Sequence, residues 1–96
     1  ILRGANLFDT QLAGASFVGF GGANALMGRV DISGLDFSGA NLDNALLSYA
    51  KAQRTNFAQA RMIGAKLNSA TLSDANFGGA NLQDALLSSV IAERAN

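Results

Sequence analysis

Large apolar residues recur at five-residue intervals along the chain, starting at Leu2. Sixteen of the nineteen positions in this series, which runs to Ala92, hold Leu, Ile, Met or Phe. A second series of nineteen positions, starting at Ala5, holds Ala at thirteen, and neither series contains a charged residue. A period of five fits neither an amphipathic helix nor a half-buried strand. The pattern therefore predicts a chain that turns inward twice in every five residues.

A second period of twenty is superimposed on the first. It is carried by four of the six phenylalanines of the chain, Phe17, Phe37, Phe57 and Phe77. Both periods are satisfied by a coil with four five-residue sides, in which residue i lies over residue i+20. We expect these four rings to stack as a core ladder, and 96 residues at twenty per coil give about 4.8 coils.

Several five-residue units have nearly the same sequence. Those that begin at Ala40, Ala75 and Ala80 read ANLDN, ANFGG and ANLQD. These units resemble the A-(D/N)-(L/F)-x-x unit of the pentapeptide-repeat family. The resemblance extends over essentially the whole chain in one frame. It implies an all-β fold, a right-handed quadrilateral parallel β-helix, with residues 1–96 forming a single solenoid domain.

One unit departs from the frame. At residues 20–24 the small position holds Phe20 and the large position holds Gly22. We expect the Phe20 ring to fill the volume that Gly22 leaves empty; the alternative is a kinked corner that presents a loop. The glycines here do not form a phosphate-binding G-x-G-x-x-G or P-loop pattern.

One outer wall is richer in apolar residues than the others when the sequence is folded at twenty. Its outward positions hold four large apolar residues and are interrupted by Lys66 and Asn68. A contiguous apolar row of this kind tends to be a contact surface, although a wall without a partner is an equal alternative. The candidate partner surface consists of Phe8, Leu26, Leu46 and Leu86.

Composition narrows the possible chemistry. The chain has no Cys and no His, and its seven acidic residues are balanced by seven basic ones. Thiol nucleophiles, disulfides, imidazole bases and zinc ligand sets are therefore excluded. The carboxylates are dispersed, which disfavours an acid/base pair or a hard-cation cage. We expect no enzyme activity, no catalytic, cofactor or metal residues, no cofactor, no small-molecule ligand and no nucleic-acid binding.

The preferred hypothesis for function is a scaffold that presents rigid faces to a protein partner, as a subunit of a larger assembly. The contact would use the Leu-rich wall, or self-association through a coil end near Val90 and Ile91. The alternative, taken from the quinolone-resistance members of the family, is a DNA mimic that binds a type II topoisomerase (gyrase). Zero net charge disfavours that alternative.

The ends of the sequence resemble no cap, so we expect this chain to be a fragment or the uncapped part of a longer solenoid. No targeting segment and no transmembrane segment is visible. The family is abundant in cyanobacteria and plastids, and this context suggests the cytoplasm or the thylakoid lumen.

Overall fold

The computed structural model describes residue 17, residues 19–93 and residues 95–96. In this part the chain winds as a four-sided coil, with eleven parallel β-bridges that each join residue i to residue i+20. Each side contributes a single bridged residue, and the bridged positions run at five-residue intervals from Gly21 to Ile91. The predicted parallel β-helix with twenty residues per coil is therefore confirmed.

Each of the four faces has a column of bridged residues whose side chains point outward. We name the faces after these columns. The Arg61 face contains Gly21, Asn41, Arg61 and Asn81, and the Leu face contains Leu26, Leu46, Lys66 and Leu86. The Lys51 face contains Asp31, Lys51, Thr71 and Ile91, and the Asn face contains Asp36, Asn56 and Asn76.

Backbone hydrogen bonds hold the coils together, and the repeat that contains Leu47 shows the pattern. The amide of Leu47 donates to the Lys66 carbonyl of the next coil at 2.7 Å, and the Tyr49 amide donates to the Asn68 carbonyl at 3.1 Å. In the opposite direction, the Leu46 amide donates to the carbonyl of Ala25 at 2.9 Å. These bonds fix each coil in a single register on its neighbour.

Every five-residue side ends in a tight turn. After Leu42, for example, the Ala45 amide donates to the Leu42 carbonyl at 3.0 Å, and Asn44 between them has a φ of 58°. A positive φ only at the third residue of the turn is typical of a type II turn, which favours Gly or Asn. Fifteen described corner residues have a positive φ, and ten of them are not glycine.

The core is built from the two inward series. Phe37, Leu42, Leu47, Phe57 and Leu67 are completely buried, and the alanines between them let the four walls approach closely. The rings of the predicted ladder are stacked, with centroid distances of 4.8 Å from Phe17 to Phe37, 5.9 Å from Phe37 to Phe57 and 5.0 Å from Phe57 to Phe77. Phe17 and Phe77 are only partly buried.

The irregular unit at Phe20 and Gly22 keeps the backbone pattern of the other units. The Gly22 amide donates to the Asn41 carbonyl at 2.8 Å, and the Ala25 amide closes the turn onto Gly22 at 3.0 Å. A Cβ on Gly22 would overlap the Phe20 ring. That ring lies edge-on to Phe17 and Phe37, at 5.0 Å and 5.7 Å. The ring therefore occupies the space of the missing side chain, without a bulge or a displaced loop.

This exchange of volumes predicts a compensating pair of substitutions. Phe20→Ala should lower the free energy of unfolding by about 2–4 kcal/mol, because it leaves a cavity that the backbone cannot close. Adding Gly22→Leu to Phe20→Ala should restore much of that loss, whereas Gly22→Leu alone should destabilise the fold by overlap with the ring. Urea denaturation of the three variants measures these differences. Equal destabilisation by Phe20→Ala and by the double variant would contradict the exchange.

The corner conformation predicts a second, purely backbone effect at Gly34. Its φ is +75°, and a Cβ placed there would meet no atom within 4 Å. Gly34→Ala should therefore cost about 1 kcal/mol through the left-handed backbone alone, while Gly34→Asn should cost less because Asn tolerates this conformation. Thermal and chemical unfolding of both variants provide the test. An alanine variant as stable as the wild type would show that the corner imposes no such constraint.

Candidate functional site

The Asn and Asp residues that precede the large inward positions have a structural task. In each repeat the amide two residues beyond them lacks a backbone acceptor, and the side-chain oxygen accepts that hydrogen bond. The distances are 2.9 Å from the Ser38 amide to Asp36, 3.0 Å from Ala58 to Asn56 and 2.8 Å from Gly78 to Asn76. The same bond is present at Asp31, Asn41 and Asn81. These polar residues complete the backbone, and this use removes them from the candidates for ligand binding.

Arg61 occupies one of these positions, but its side chain has no acceptor atom. Asp43 of the preceding coil accepts the hydrogen bond of the amide instead. One carboxylate oxygen of Asp43 accepts the Ile63 amide at 2.9 Å, and the other is paired with the Arg61 guanidinium at 2.6 Å. The sequence prediction did not include this pair, although its cue is visible as an Arg in a position that normally holds Asn or Asp. Asp43 thus joins two neighbouring coils on the Arg61 face, and we call this arrangement the Asp43 clasp.

A polar ladder runs along the Asn face. The Asn56 side-chain amide donates to Asp36 at 3.2 Å, and that of Asn96 donates to Asn76 at 3.3 Å. The Ser38 hydroxyl and amide also donate to Asp36, so the pKa of Asp36 lies below its ordinary value, despite an opposing effect of partial burial. The low pKa is explained by the fold and indicates no catalytic carboxylate.

The Leu face carries the predicted partner surface. Leu26 and Leu86 are 42% and 51% exposed, and Leu46 between them is partly exposed. Parallel bridges place Leu46 over Leu26, Lys66 over Leu46 and Leu86 over Lys66. Phe8, the fourth residue predicted for this surface, lies outside the described residues. The structure thus brings three of the four predicted residues into one straight row, with Lys66 inside it.

The four faces differ in charge even though the chain is neutral. The outward positions of the Leu face lie between residues 26 and 88 of the described chain. Lys66 is the one charged residue at these positions, and none of them holds a carboxylate. The Lys51 face carries both positive and negative side chains. On the Arg61 face Asp43 is paired with Arg61, and on the Asn face Asp36 is negatively charged. Arg29 and Asp84 lie at the corners that border the Leu face. This face therefore combines an apolar row with a local positive charge.

The last described coil forms a second apolar surface, which we call the coil end. A hollow of about 370 Å³ opens there, and Phe77, Leu82, Leu87 and Val90 are among its lining residues. Leu87 is 40% exposed, whereas Leu67, one coil earlier in the same column, is completely buried. At the coil end, the inward-facing apolar side chains are therefore open to solvent, because no described coil covers them.

Two further findings concern the described part of the chain. No group of three or more His, Cys, Asp or Glu side chains in residues 17, 19–93 and 95–96 is arranged to hold a metal ion. Within the same residues there is no helix of the length and apolarity needed to cross a membrane.

Comparison with protein families agrees with the geometry. The family model for pentapeptide repeats matches the chain in eight copies, within the overlapping ranges 1–44, 25–62, 40–79 and 65–96. The chain belongs to the pentapeptide-repeat family. Comparison with curated proteins gives no match. Membership in the family confirms the fold predicted from the ANLDN-type units, a right-handed quadrilateral β-helix.

Solved structures of pentapeptide-repeat proteins are similar to this chain. Rfr23 from the cyanobacterium Cyanothece 51142 is 19% identical, with a TM-score of 0.53 over 98% of this chain and 85% of its own. A thylakoid-lumen member from Arabidopsis thaliana is 21% identical, with a TM-score of 0.50 over 88% of this chain and 66% of its own. HetL from the cyanobacterium Nostoc, involved in heterocyst differentiation regulation, is 28% identical, with a TM-score of 0.55. The chain is covered to 99% in that comparison and spans 54% of HetL.

The hydrogen bonds at Asp36 predict a pH effect with a definite sign. Because the pKa of Asp36 is lower in the folded protein than in the unfolded chain, its ionised carboxylate stabilises the fold at neutral pH. The unfolded chain has the ordinary aspartate pKa of about 3.9. The stabilisation is lost as the pH falls from that value through the lower pKa of the folded protein. The stability difference between the wild type and Asp36→Asn should therefore change in favour of the variant at acid pH. Unfolding curves at several pH values and an NMR titration of the carboxyl carbon measure it. A titration midpoint at or above the ordinary aspartate value would contradict the assignment.

Proposed function

We propose that this pentapeptide-repeat protein is a non-enzymatic scaffold that presents its Leu face to a protein partner. The observation that carries the proposal is the row formed by Leu26, Leu46 and Leu86, whose aliphatic side chains are held outward by fixed backbone bridges. Apart from Ile63 and Ile91, the outward positions of the other described faces are small or polar. A rigid row of this kind loses little conformational freedom on binding, which favours association.

Side-chain chemistry supports contact rather than catalysis. The chain lacks His and Cys, the groups that most often serve as general base and strong nucleophile. Three of the described carboxylates are used by the fold, since Asp31 and Asp36 accept backbone amides and Asp43 is paired with Arg61. The alternative role as a DNA mimic requires an extended anionic surface, and the Leu face has the opposite sign. Self-association through the coil end stays a prediction.

Substitution of two leucines of the Leu face, compared with a control substitution on another face, tests this function. Leu26→Ser with Leu86→Ser should lower the free energy of unfolding by about 2 kcal/mol at most, because each side chain is already about half exposed. Ile91→Ser is the control, since Ile91 is 55% exposed on the Lys51 face. Each tagged protein is cross-linked to its binding partners in the native extract, and recovery is quantified by mass spectrometry. We expect a partner that is recovered with the wild type and the control but lost with the double variant.

Equal recovery with all three proteins would contradict the assignment of the Leu face. Failure to recover any stoichiometric partner with the wild type would contradict the scaffold function itself. Circular dichroism on the three purified proteins checks that the fold is unchanged before recovery is compared.

A further inference from the structure

Lys66 gives the Leu face a chemical preference that apolar contact alone would not supply. It is exposed and lies between Leu46 and Leu86 in the bridged column. Within the described residues its ammonium has no hydrogen-bond or ion-pair partner, whereas Arg61 in the equivalent coil of the adjacent face is paired with Asp43. Arg29 at the bordering corner is already engaged in an interaction, so Lys66 is the cation that a partner would meet.

The backbone of the Leu face excludes one common mode of peptide binding. The amides of Leu46, Lys66 and Leu86 each donate at 2.9 Å to a carbonyl of the preceding coil. The bridged amides along the face are therefore already paired, and they offer no continuous strand edge to an added β-strand. An α-helix satisfies its own backbone hydrogen bonds and can bind through side chains alone.

The spacing of the row suits such a helix. Coils are separated by about 4.7–4.9 Å, close to the helical pitch of about 5.4 Å. One side chain per helical turn can therefore lie beside each of Leu26, Leu46, Lys66 and Leu86. The mismatch accumulates to about 1.5–2.1 Å over the three intervals between the four positions, which flexible side chains can absorb.

We propose that the Leu face binds an acidic amphipathic α-helix of another protein. The apolar stripe of the helix would pack on Leu26, Leu46 and Leu86, and a carboxylate placed within or beside that stripe would pair with Lys66. Charge complementarity selects this occupant, because the outward positions of the face carry a cation and no carboxylate in the described chain. The described residues contain no helix, and the proposed occupant is a segment of another protein. The proposal rests on the proposed scaffold function and specifies the class of partner.

Two synthetic helical peptides of about 18 residues, or five turns, test the preference. They share one leucine stripe; glutamates flank it in the acidic peptide and lysines replace them in the basic peptide. Fluorescence anisotropy measures binding of each labelled peptide to the whole chain. We expect the acidic peptide to bind about fivefold more tightly at low salt, and we expect this advantage to shrink as salt is raised.

Charge reversal at one position then separates a specific contact from a general attraction. Lys66→Glu should reverse the preference, so that the basic peptide binds more tightly. Lys51→Glu makes the same change at an exposed, bridged position of the adjacent face and should retain the preference for the acidic peptide. Circular dichroism confirms that both variants are folded.

Equal binding of the two peptides, no binding of either, or a preference that Lys66→Glu leaves unchanged would overturn the proposal. These outcomes are distinct from failure of the scaffold function. If the natural partner still requires Leu26 and Leu86 while the peptides show no charge preference, only the class of partner is wrong. If recovery of that partner is independent of Leu26 and Leu86, the assignment of the Leu face is wrong as well.

Discussion

The structure depends on hydrogen bonds that join each residue to the coils on either side of it. Four of the five amides in a repeat are bonded by the backbone itself, as in the repeat of Leu42, Asn44, Ala45 and Leu46. Where the repeat has Asn or Asp at the bridged position, its side-chain oxygen accepts the fifth amide, as Asn41 does for the Asp43 amide. Because an amide without an acceptor is costly, this bond explains the preference for Asn or Asp at that position. The clasp at Asp43 shows that the oxygen can also come from a neighbouring coil.

Packing follows from the same register. A residue directly above another of its own kind can stack, which the rings of Phe37 and Phe57 do, and alanines between the large residues leave no room for voids. The complementary volumes of Phe20 and Gly22 are tolerated for the same reason, since the backbone of that unit is fixed by its neighbours. Burial then depends on having a coil on each side, so Leu67 is fully buried while Leu87 is not.

Most of the fold could be predicted from the two periods in the sequence. The five-residue series identified which side chains point inward, and the spacing of Phe17, Phe37, Phe57 and Phe77 gave four sides per coil. The side-chain caps were not predicted, because the recurrence of Asn or Asp in the repeat marks an outward polar position but does not show which amide its oxygen accepts. The position of Lys66 within the apolar row was visible when the sequence was folded at twenty. That Lys66 lacks an ion-pair partner, whereas Arg61 on the adjacent face has one, required the side-chain positions.

The four-sided geometry has a consequence for how such a chain can change in length. Insertion or deletion of twenty residues would add or remove one coil and leave every face with its own column. Insertion of five residues before Lys66 would preserve the inward series and the turns, yet it would rotate all later residues by a quarter turn. Lys66 would then stand above Lys51 instead of Leu46, with Leu86 still above Lys66, and the row with Leu26 and Leu46 would be divided. The fold would accept this change far more readily than any function that depends on the composition of a single face.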